Sequence, residues 1–311
     1  MKTTTNFQYS PEVTYALQHG QPIVALETAV LTHGLPFPIN IETSIAMEDE
    51  VRLAGAVPAT IGLLDGKVHI GLNRDEVIRL GDPASKPRKV SRRDFGVCLV
   101  SGECGGTTVA GTLIAAQMAG IKVFATGGIG GVHRGEIFDV SADLEELSHC
   151  PIIVVCAGAK SILDLPATLE VLETRGVPVI GFQTSDFPAF FSRESGLAVN
   201  YRIETPAEAA IIAKKQWEMG INSSILVVNP LPADAAISNT EIEQTISKAI
   251  IAAQQSGIHG SRLTPFLLQW VNQTTQGKSM AANLVLLRNN ATLAARIAVE
   301  VSSDAKPDRL I

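Results

Sequence analysis

Short apolar runs alternate along the chain with longer stretches in which apolar residues recur every three to four positions. This is the pattern of strands interleaved with amphipathic helices. Strands are expected at Ile23–Leu26, Ala59–Leu64, Lys122–Ala125, Ile152–Cys156, Pro178–Phe182 and Ile225–Val228. Helices are expected at Glu42–Ala54, Thr108–Ala119, Ser161–Arg175, Pro206–Met219, Thr240–Gln255, Pro265–Thr274 and Met280–Val301. Pro206 suits a first helical turn, and Gly176, Gly220 and Gly257 suit helix ends. Asp65-Gly66 separates ATIGLL from KVHIGL and spells a two-residue hairpin, so the sheet is expected to be mixed. The alternation predicts an α/β fold of three layers, α/β/α, around that sheet. No linker, internal repeat or low-complexity segment interrupts it. One domain is expected over residues 1–311, with 1–20 an N-terminal extension and 302–311 a frayed tail. Gly81–Arg93, the longest polar stretch without periodicity, reads as a loop.

Composition narrows the class. The chain has 311 residues, of which 46% are hydrophobic and 18% charged, a globular balance with too little charge for disorder. A net charge of -6 argues against a nucleic-acid surface, which needs a clustered basic face. The basic residues Lys86, Arg88, Lys89, Arg92 and Arg93 suit a small anion instead. The first twenty residues lack the apolar core of a signal peptide, and no apolar run approaches the ~20 residues that span a bilayer. A soluble, cytoplasmic protein with neither membrane nor nucleic-acid partner is expected. Cys98, Cys104, Cys150 and Cys156 give no C-x-x-C spacing and read as buried free thiols.

Familiar motifs fail. In GGIGGVHRG the G-x-G-x-x-G register from Gly128 reaches His133 where its third glycine belongs. Gln276-Gly277-Lys278-Ser279 resembles the end of a P-loop, but Asn272 stands at the required first glycine. Neither H-E-x-x-H nor G-x-S-x-G occurs.

Four constellations remain. Glu27 follows an apolar strand, where ligands bind in open α/β sheets, and desolvation there would suit it to general-acid work. It could equally cap a helix or pair with a buried cation, and His33 is as ambiguous. In GGTTVAGT, Gly105 and Gly106 permit close backbone approach, and the threonines open a helix whose N-terminus attracts anions; an ordinary helix cap looks the same. In TGGIGGVHRGEIFDVSADL, four glycines within five residues require close approach to a ligand or another backbone. Asp139, with Ser141 and Asp143 nearby, suits a hard divalent cation that keeps most of its waters. Ser141 and Asp143 also suit the start of a helix. Lys160 sits four residues past an apolar strand, at an expected helix start. Desolvation would favour its neutral amine, a nucleophile or Schiff-base former, unless the side chain snorkels to the surface.

ALETAVLTHGLPFP, GAVPATIGLLDGKVHIGL, KVSRRDF, GGTTVAGT, TGGIGGVHRG, DVSADL, VVCAGAKSILD, LTPFLL and ANLVLLRNNATLAARIA, in that order, resemble the pseudouridine-5'-phosphate glycosidase family, also labelled indigoidine synthase A-like. The resemblance implies reversible cleavage of the C–C glycosidic bond of pseudouridine 5'-phosphate to uracil and ribose 5-phosphate. It implies an α/β/α homotrimer and one divalent metal per subunit, Mn2+ by expectation. By motif, Lys160 becomes the covalent nucleophile, Glu27 the proton donor and Asp139 the metal ligand. Lys89, Val109 with Thr108, Ser141, Ala142 and Asp143 become substrate contacts, as do His133 and Asn283. The stretch between Gly135 and Asp139 is shorter than the family pattern. Two rivals stand beside this reading: another Schiff-base lyase or aldolase on sugar phosphates, and a non-catalytic accessory protein of indigoidine-type biosynthesis.

Overall fold

Strands such as IVAL, IVVC and ILVV carry no polar position, so each needs cover on both faces. A computed structural model describes residues 6–134, 139–258 and 263–303 and supplies that cover. Its strands are β1 (Phe7–Tyr9), β2 (Ile23–Leu26), β3 (Val57–Leu64), β4 (Lys67–Ile70), β5 (Arg88–Val90), β6 (Gly105–Thr107), β7 (Val123–Ala125), β8 (Val132–His133), β9 (Ile153–Cys156), β10 (Leu163–Asp164), β11 (Val179–Phe182), β12 (Tyr201–Ile203) and β13 (Ile225–Val228). Eleven of them form one sheet in the order β1-β4-β3-β2-β7-β9-β13-β11-β12, with β6 on β3 and β5 on β6. Every ladder in it is parallel except the two that β3 makes with β4 and β6. The antiparallel β8–β10 pair stands apart.

The helices are α1 (Pro11–Gln18), α2 (Ile39–Leu53), α3 (Arg74–Gly81), α4 (Phe95–Ser101), α5 (Val109–Ala119), α6 (Ala142–Leu147), α7 (Leu165–Thr174), α8 (Pro206–Glu218), α9 (Asn239–Gln255), α10 (Leu263–Thr274) and α11 (Lys278–Ser303). α11 lies across β2, β7 and β9 and packs on α2 and α8, while α5 packs on α6 and on β2 and β3. The strands between these groups are buried, which gives the expected three-layer α/β/α architecture in one domain.

Local chemistry explains most element ends. Asp65 and Gly66 both take positive φ, 51° and 70°, the two-residue turn that joins β3 to β4. Thr205 caps α8 in a capping box with Glu208, and Pro206 enters its first turn.

The structure differs from expectation at several places. The helix expected from Ser161 begins at Leu165, because residues 163–164 pair with β8 and Asp164 caps α7, accepting from Ala167 N–H at 3.0 Å. Lys160 therefore lies in the β9–β10 loop and opens no helix. The loop expected over Gly81–Arg93 contains β5, which pairs with β6. The N-terminal segment is integrated: β1 adds an edge strand to β4, and Val13 and Ala16 of α1 are buried. Cys98, Cys150 and Cys156 are buried free thiols, but Cys104 is half-buried. Of the expected frayed tail, residues 304–311 lie outside the described residues.

The sheet also sets where chemistry can occur. The chain passes from β2 to β3 on one side and returns through β7 to β9 on the other. The strand order thus reverses between β2 and β7, and it is beyond the carboxyl ends of strands at such a reversal that open α/β sheets bind ligands. Gly158 in the adjoining β9–β10 loop shows how tightly that rim is packed. Its φ is +84°, and an added Cβ would strike the Pro188 carbonyl oxygen. Gly120, the C-cap of α5, has a similar φ of +80° but open space around it. Gly158→Ala should cost at least about 3 kcal/mol and Gly120→Ala about 1 kcal/mol, read by urea unfolding. Equal losses would show that backbone conformation alone, not the Pro188 contact, demands glycine at 158.

Candidate active site

Glu27 directly follows β2, and Thr126 directly follows β7, so the two face each other across the reversal point. The Thr126 hydroxyl donates to Glu27 Oε1. Glu27 is 8% exposed. Burial raises its pKa above the ordinary carboxylate range, outweighing the Lys160 ammonium, the Thr126 hydrogen bond and Lys89, while Asp143 adds to the rise. A carboxyl held above its ordinary range is better suited to act as a general acid than an ordinary carboxylate.

Lys89 lies on β5 with its side chain reaching solvent. Even so, desolvation by surrounding protein and then the Lys160 charge lower its pKa, with Asp143 and Glu27 pulling the other way. The four groups Glu27, Lys89, Asp143 and Lys160 therefore share one electrostatic neighbourhood. His33 stands beside it: burial first and Lys89 second lower its pKa.

Lys160 is partly exposed, not fully desolvated as the apolar strand before it suggests, because it lies in the loop beyond β9. Its own backbone is held on both sides. Lys160 N–H donates to Ile129 O at 3.1 Å, and Leu163 N–H donates to Lys160 O at 3.0 Å.

Asp143 fastens the glycine-rich loop to α5. Its Oδ1 accepts from Ala110 N–H at 2.9 Å and its Oδ2 from Gly130 N–H at 2.8 Å. Ser141 caps α6 by accepting from Asp143 N–H at 3.2 Å, and Ala142 begins that helix. A Cβ on Gly130 would collide with Ser141 Oγ and come within 2.7 Å of Asp143 Oδ2, so glycine is required for this approach. Thr108 caps α5, accepting from Gly111 N–H at 3.2 Å. The α5 terminus differs here from expectation. The N–H groups of Ala110 and Gly111 are already bound by Asp143 and Thr108, so most of its anion affinity is met within the chain. Val109, at the first position of α5, is buried. Gly106 approaches the Thr32 side chain and the Thr28 carbonyl closely, so its small size serves the protein backbone.

His133 and Asp139 form a second, looser group. His133 N–H donates to Asp139 O at 2.9 Å, and Nδ1 lies 3.9 Å from Asp139 Oδ2. The Asp139 carboxylate is 41% exposed. Among the described residues no three His, Cys, Asp or Glu side chains assemble as a metal cage. A single accessible carboxylate fits a hard cation that retains most of its waters, and fits a soft or tightly caged metal poorly. The shortened stretch of sequence, residues 135–138, lies outside the described residues. Asn283 is half-buried on α11, one turn before Leu286 and Leu287, which pack against Gly127. Neither His133 nor Asn283 is joined to Glu27, Lys89 or Lys160 by a hydrogen bond among the described residues.

Sequence reasoning missed the polar supports. Thr28 Oγ1 donates to Ile61 O at 2.6 Å and accepts from Thr107 N–H at 2.9 Å, tying the β2 end to β3 and β6. Asn290, fully buried, donates to Thr126 O at 2.9 Å and accepts from Asn229 Nδ2 at 3.1 Å. The signals were present: a threonine ending the apolar run VFAT, and an asparagine on the apolar stripe of Leu286, Leu293 and Ile297. Two cavities of about 310 and 340 Å³ lie elsewhere, lined by residues such as Arg134 and Glu243, and Arg193 and Ile237. The titratable cluster is not in either of them.

A model of the family described as indigoidine synthase A like protein matches residues 12–300. The pseudouridine-5'-phosphate glycosidase of Caldanaerobacter subterraneus subsp. tengcongensis is 52% identical over 295 residues, 94% of this chain and 96% of that protein. That of Sorangium cellulosum is 51% identical, covering 97% of this chain and 96% of its own. The crystal structure of an indigoidine synthase A-like protein from Thermotoga maritima superposes with a TM-score of 0.87 at 37% identity, over 95% of this chain and 96% of that one. The prealnumycin C-glycosynthase in complex with ribulose 5-phosphate gives 0.90 at 36% identity, over 97% and 99%.

The raised pKa of Glu27 has a measurable cost. The folded chain keeps a proton that the unfolded chain releases above the ordinary carboxyl value of ~4.3. Stability therefore falls as pH rises from there to the raised folded value, and levels off beyond it. Glu27→Gln should match the parent near pH 4 and become more stable by about 1 kcal/mol above that window. Urea unfolding across pH checks this; a difference independent of pH would contradict the buried-carboxyl assignment.

Proposed function

Since this chain belongs to the indigoidine synthase A-like family, we propose that it reversibly splits the C–C glycosidic bond of pseudouridine 5'-phosphate, giving uracil and ribose 5-phosphate through a Schiff base on Lys160. The observation that carries the proposal is a buried carboxyl with a raised pKa, Glu27, in the same electrostatic neighbourhood as the amines of Lys160 and Lys89. The names of relatives about 50% identical along nearly the whole chain support the same substrate. The sugar phosphate held by the prealnumycin C-glycosynthase supports the substrate class.

A C-glycoside has no leaving-group oxygen to protonate, so the usual two-carboxylate mechanism does not apply. The neutral amine of Lys160 attacks C1' of the ribose, and the C1'–O bond breaks as Glu27 gives its proton to the ring oxygen. The amine then returns a proton to Glu27. The nitrogen lone pair next forms the C1'=N bond while the C–C bond breaks, leaving its electron pair on the uracil carbon. That carbon takes a proton from Glu27, and uracil departs. Water adds to the iminium, and ribose 5-phosphate leaves as Lys160 is released.

Lys89 supplies the charge for the phosphate, with Thr108, Val109, Ser141, Ala142 and Asp143 as neighbouring contacts and His133 and Asn283 as further ones. Because the α5 N–H groups of Ala110 and Gly111 are already bound, the side-chain cation carries more of this task. Asp139 would hold a divalent cation, manganese in this proposal, whose positive charge would offset the negative charge of the substrate phosphate. A homotrimer and a cytoplasmic setting complete the reading. The four free cysteines accord with a reducing compartment. No helix of the described residues is long and apolar enough to cross a membrane.

Incubation with pseudouridine 5'-phosphate and manganese should release uracil, and other nucleoside 5'-phosphates should release none. Chelation should lower the rate at least tenfold, and Asp139→Ala should behave like the chelated parent. Equal rates with and without chelator would remove the metal from the mechanism.

Borohydride added during reaction with ribose 5-phosphate should trap a stable adduct, and peptide mapping should place it on Lys160. Lys160→Ala and Lys160→Arg should both lose the adduct and uracil release, since a guanidinium stays protonated. An adduct on another lysine would refute the proposed nucleophile.

A further inference from the structure

Lys160 can attack a sugar carbon only if its side chain leaves the backbone in one direction. The peptide on its N-terminal side is held by Lys160 N–H to Ile129 O, and the next by Leu163 N–H to Lys160 O. Those bonds are backbone to backbone. The peptide after that is held by a side chain. Arg134 Nη2 donates to Ser161 O at 3.0 Å, and Arg134 Nε donates to Leu163 O at 2.9 Å. Three consecutive peptide planes are thus clamped, and neither Lys160 nor Ser161 can change its backbone angles without breaking a bond.

Arg134 is itself braced from outside the sheet. Its Nη1 and Nη2 donate to the two carboxylate oxygens of Glu243 at 2.7 and 2.8 Å. The Arg134 side chain is 25% exposed and that of Glu243 38%, so the pair is partly shielded and its bidentate geometry makes it stronger than a single-contact surface ion pair. Glu243 belongs to α9, which contributes none of the residues assigned above to chemistry. Arg134 and Glu243 also line a cavity of about 310 Å³ together with Asp164 and Leu165. Ser161, next to the nucleophile, is buried, and its hydroxyl has no hydrogen-bond partner among the described residues.

We infer that Arg134, braced by Glu243, is the positioning residue for the Lys160 nucleophile: it orients the amine through the Ser161 and Leu163 carbonyls without touching substrate. The inference rests on Lys160 acting as proposed above, and its test separates the two. In Arg134→Lys one ammonium cannot bond two carbonyls and a carboxylate in the same geometry. The expected loss in kcat is on the order of tenfold to a hundredfold, as for a nucleophile displaced by about 1 Å, with KM for pseudouridine 5'-phosphate nearly unchanged. Glu243→Ala leaves both carbonyl bonds possible and should lose kcat in the same direction by a smaller factor. It also serves if Arg134→Lys fails to fold. Independently of turnover, an amine-acetylating reagent followed by peptide mass analysis reads the labelling of Lys160 relative to Lys89. That ratio should change several-fold in both variants while Tm falls by no more than about 4 °C. An unchanged kcat, a loss that appears in KM instead, or a constant Lys160-to-Lys89 ratio would overturn the inference. A parent that releases no uracil and forms no adduct would instead refute the function, and the labelling ratio alone would then decide the positioning role.

Discussion

A carboxyl removed from water at the crest of a parallel sheet is the constraint around which this fold is arranged. Glu27 stands where β2 ends, walled by apolar strands, and burial pushes its pKa upward. An ionised carboxylate there would be costly without partners, so the protein supplies a hydroxyl and brings two amines near. The compromise leaves the group neither freely ionised nor locked in an ion pair. The Thr126 hydroxyl can do this only because Asn290 and Asn229 hold the backbone beneath it. Asn229, Asn290, Thr126 and Glu27 thus form one line of hydrogen-bonded residues running from α11 to the end of β2.

Asp143 plays the complementary part on the other side of the crevice. A helix N-terminus next to a glycine-rich loop is a ready anion site, and here a carboxylate of the chain itself occupies two of its donors. That choice ties the loop down and adds negative charge beside Lys89 and Glu27, adding to the rise of the Glu27 pKa and opposing the fall of the Lys89 pKa. It also leaves fewer N–H groups free for an anion beside Lys89, whose own pKa is depressed first by burial and then by the Lys160 charge.

These features fit carbon–carbon bond cleavage better than ordinary glycoside hydrolysis. Two carboxylates flanking an oxygen would be useless against a carbon leaving group, whereas an amine that can become an iminium gives the electrons of the breaking bond somewhere to go. The crevice at the reversal of strand order brings residues from β2, β5, β7 and the β9–β10 loop together. No single segment of the chain could do so.

What the sequence determined by itself is what short-range chemistry controls. β2 and β13 fall on the expected residues, and Asp65-Gly66 makes the expected turn, because strand periodicity and a positive-φ pair act within a few residues. Glu27, Asp139 and Lys160 were legible with their expected chemistry from their local settings and from resemblance alike, whereas the substrate contacts expected of Lys89 and Asp143 came from resemblance. Tertiary structure decided the rest. The start of α7 moved because β8, some thirty residues earlier, pairs with residues 163–164. The partner of Glu27 lies 99 positions away, that of Arg134 lies 109 away, and Asn290 reaches 164 positions to Thr126. A polar side chain announces that it needs a partner, but only the folded chain brings a particular oxygen within reach of a particular N–H or O–H. The apolar pattern could place Lys160 at a strand end, and only the packing of loop against sheet could leave its side chain open to the crevice.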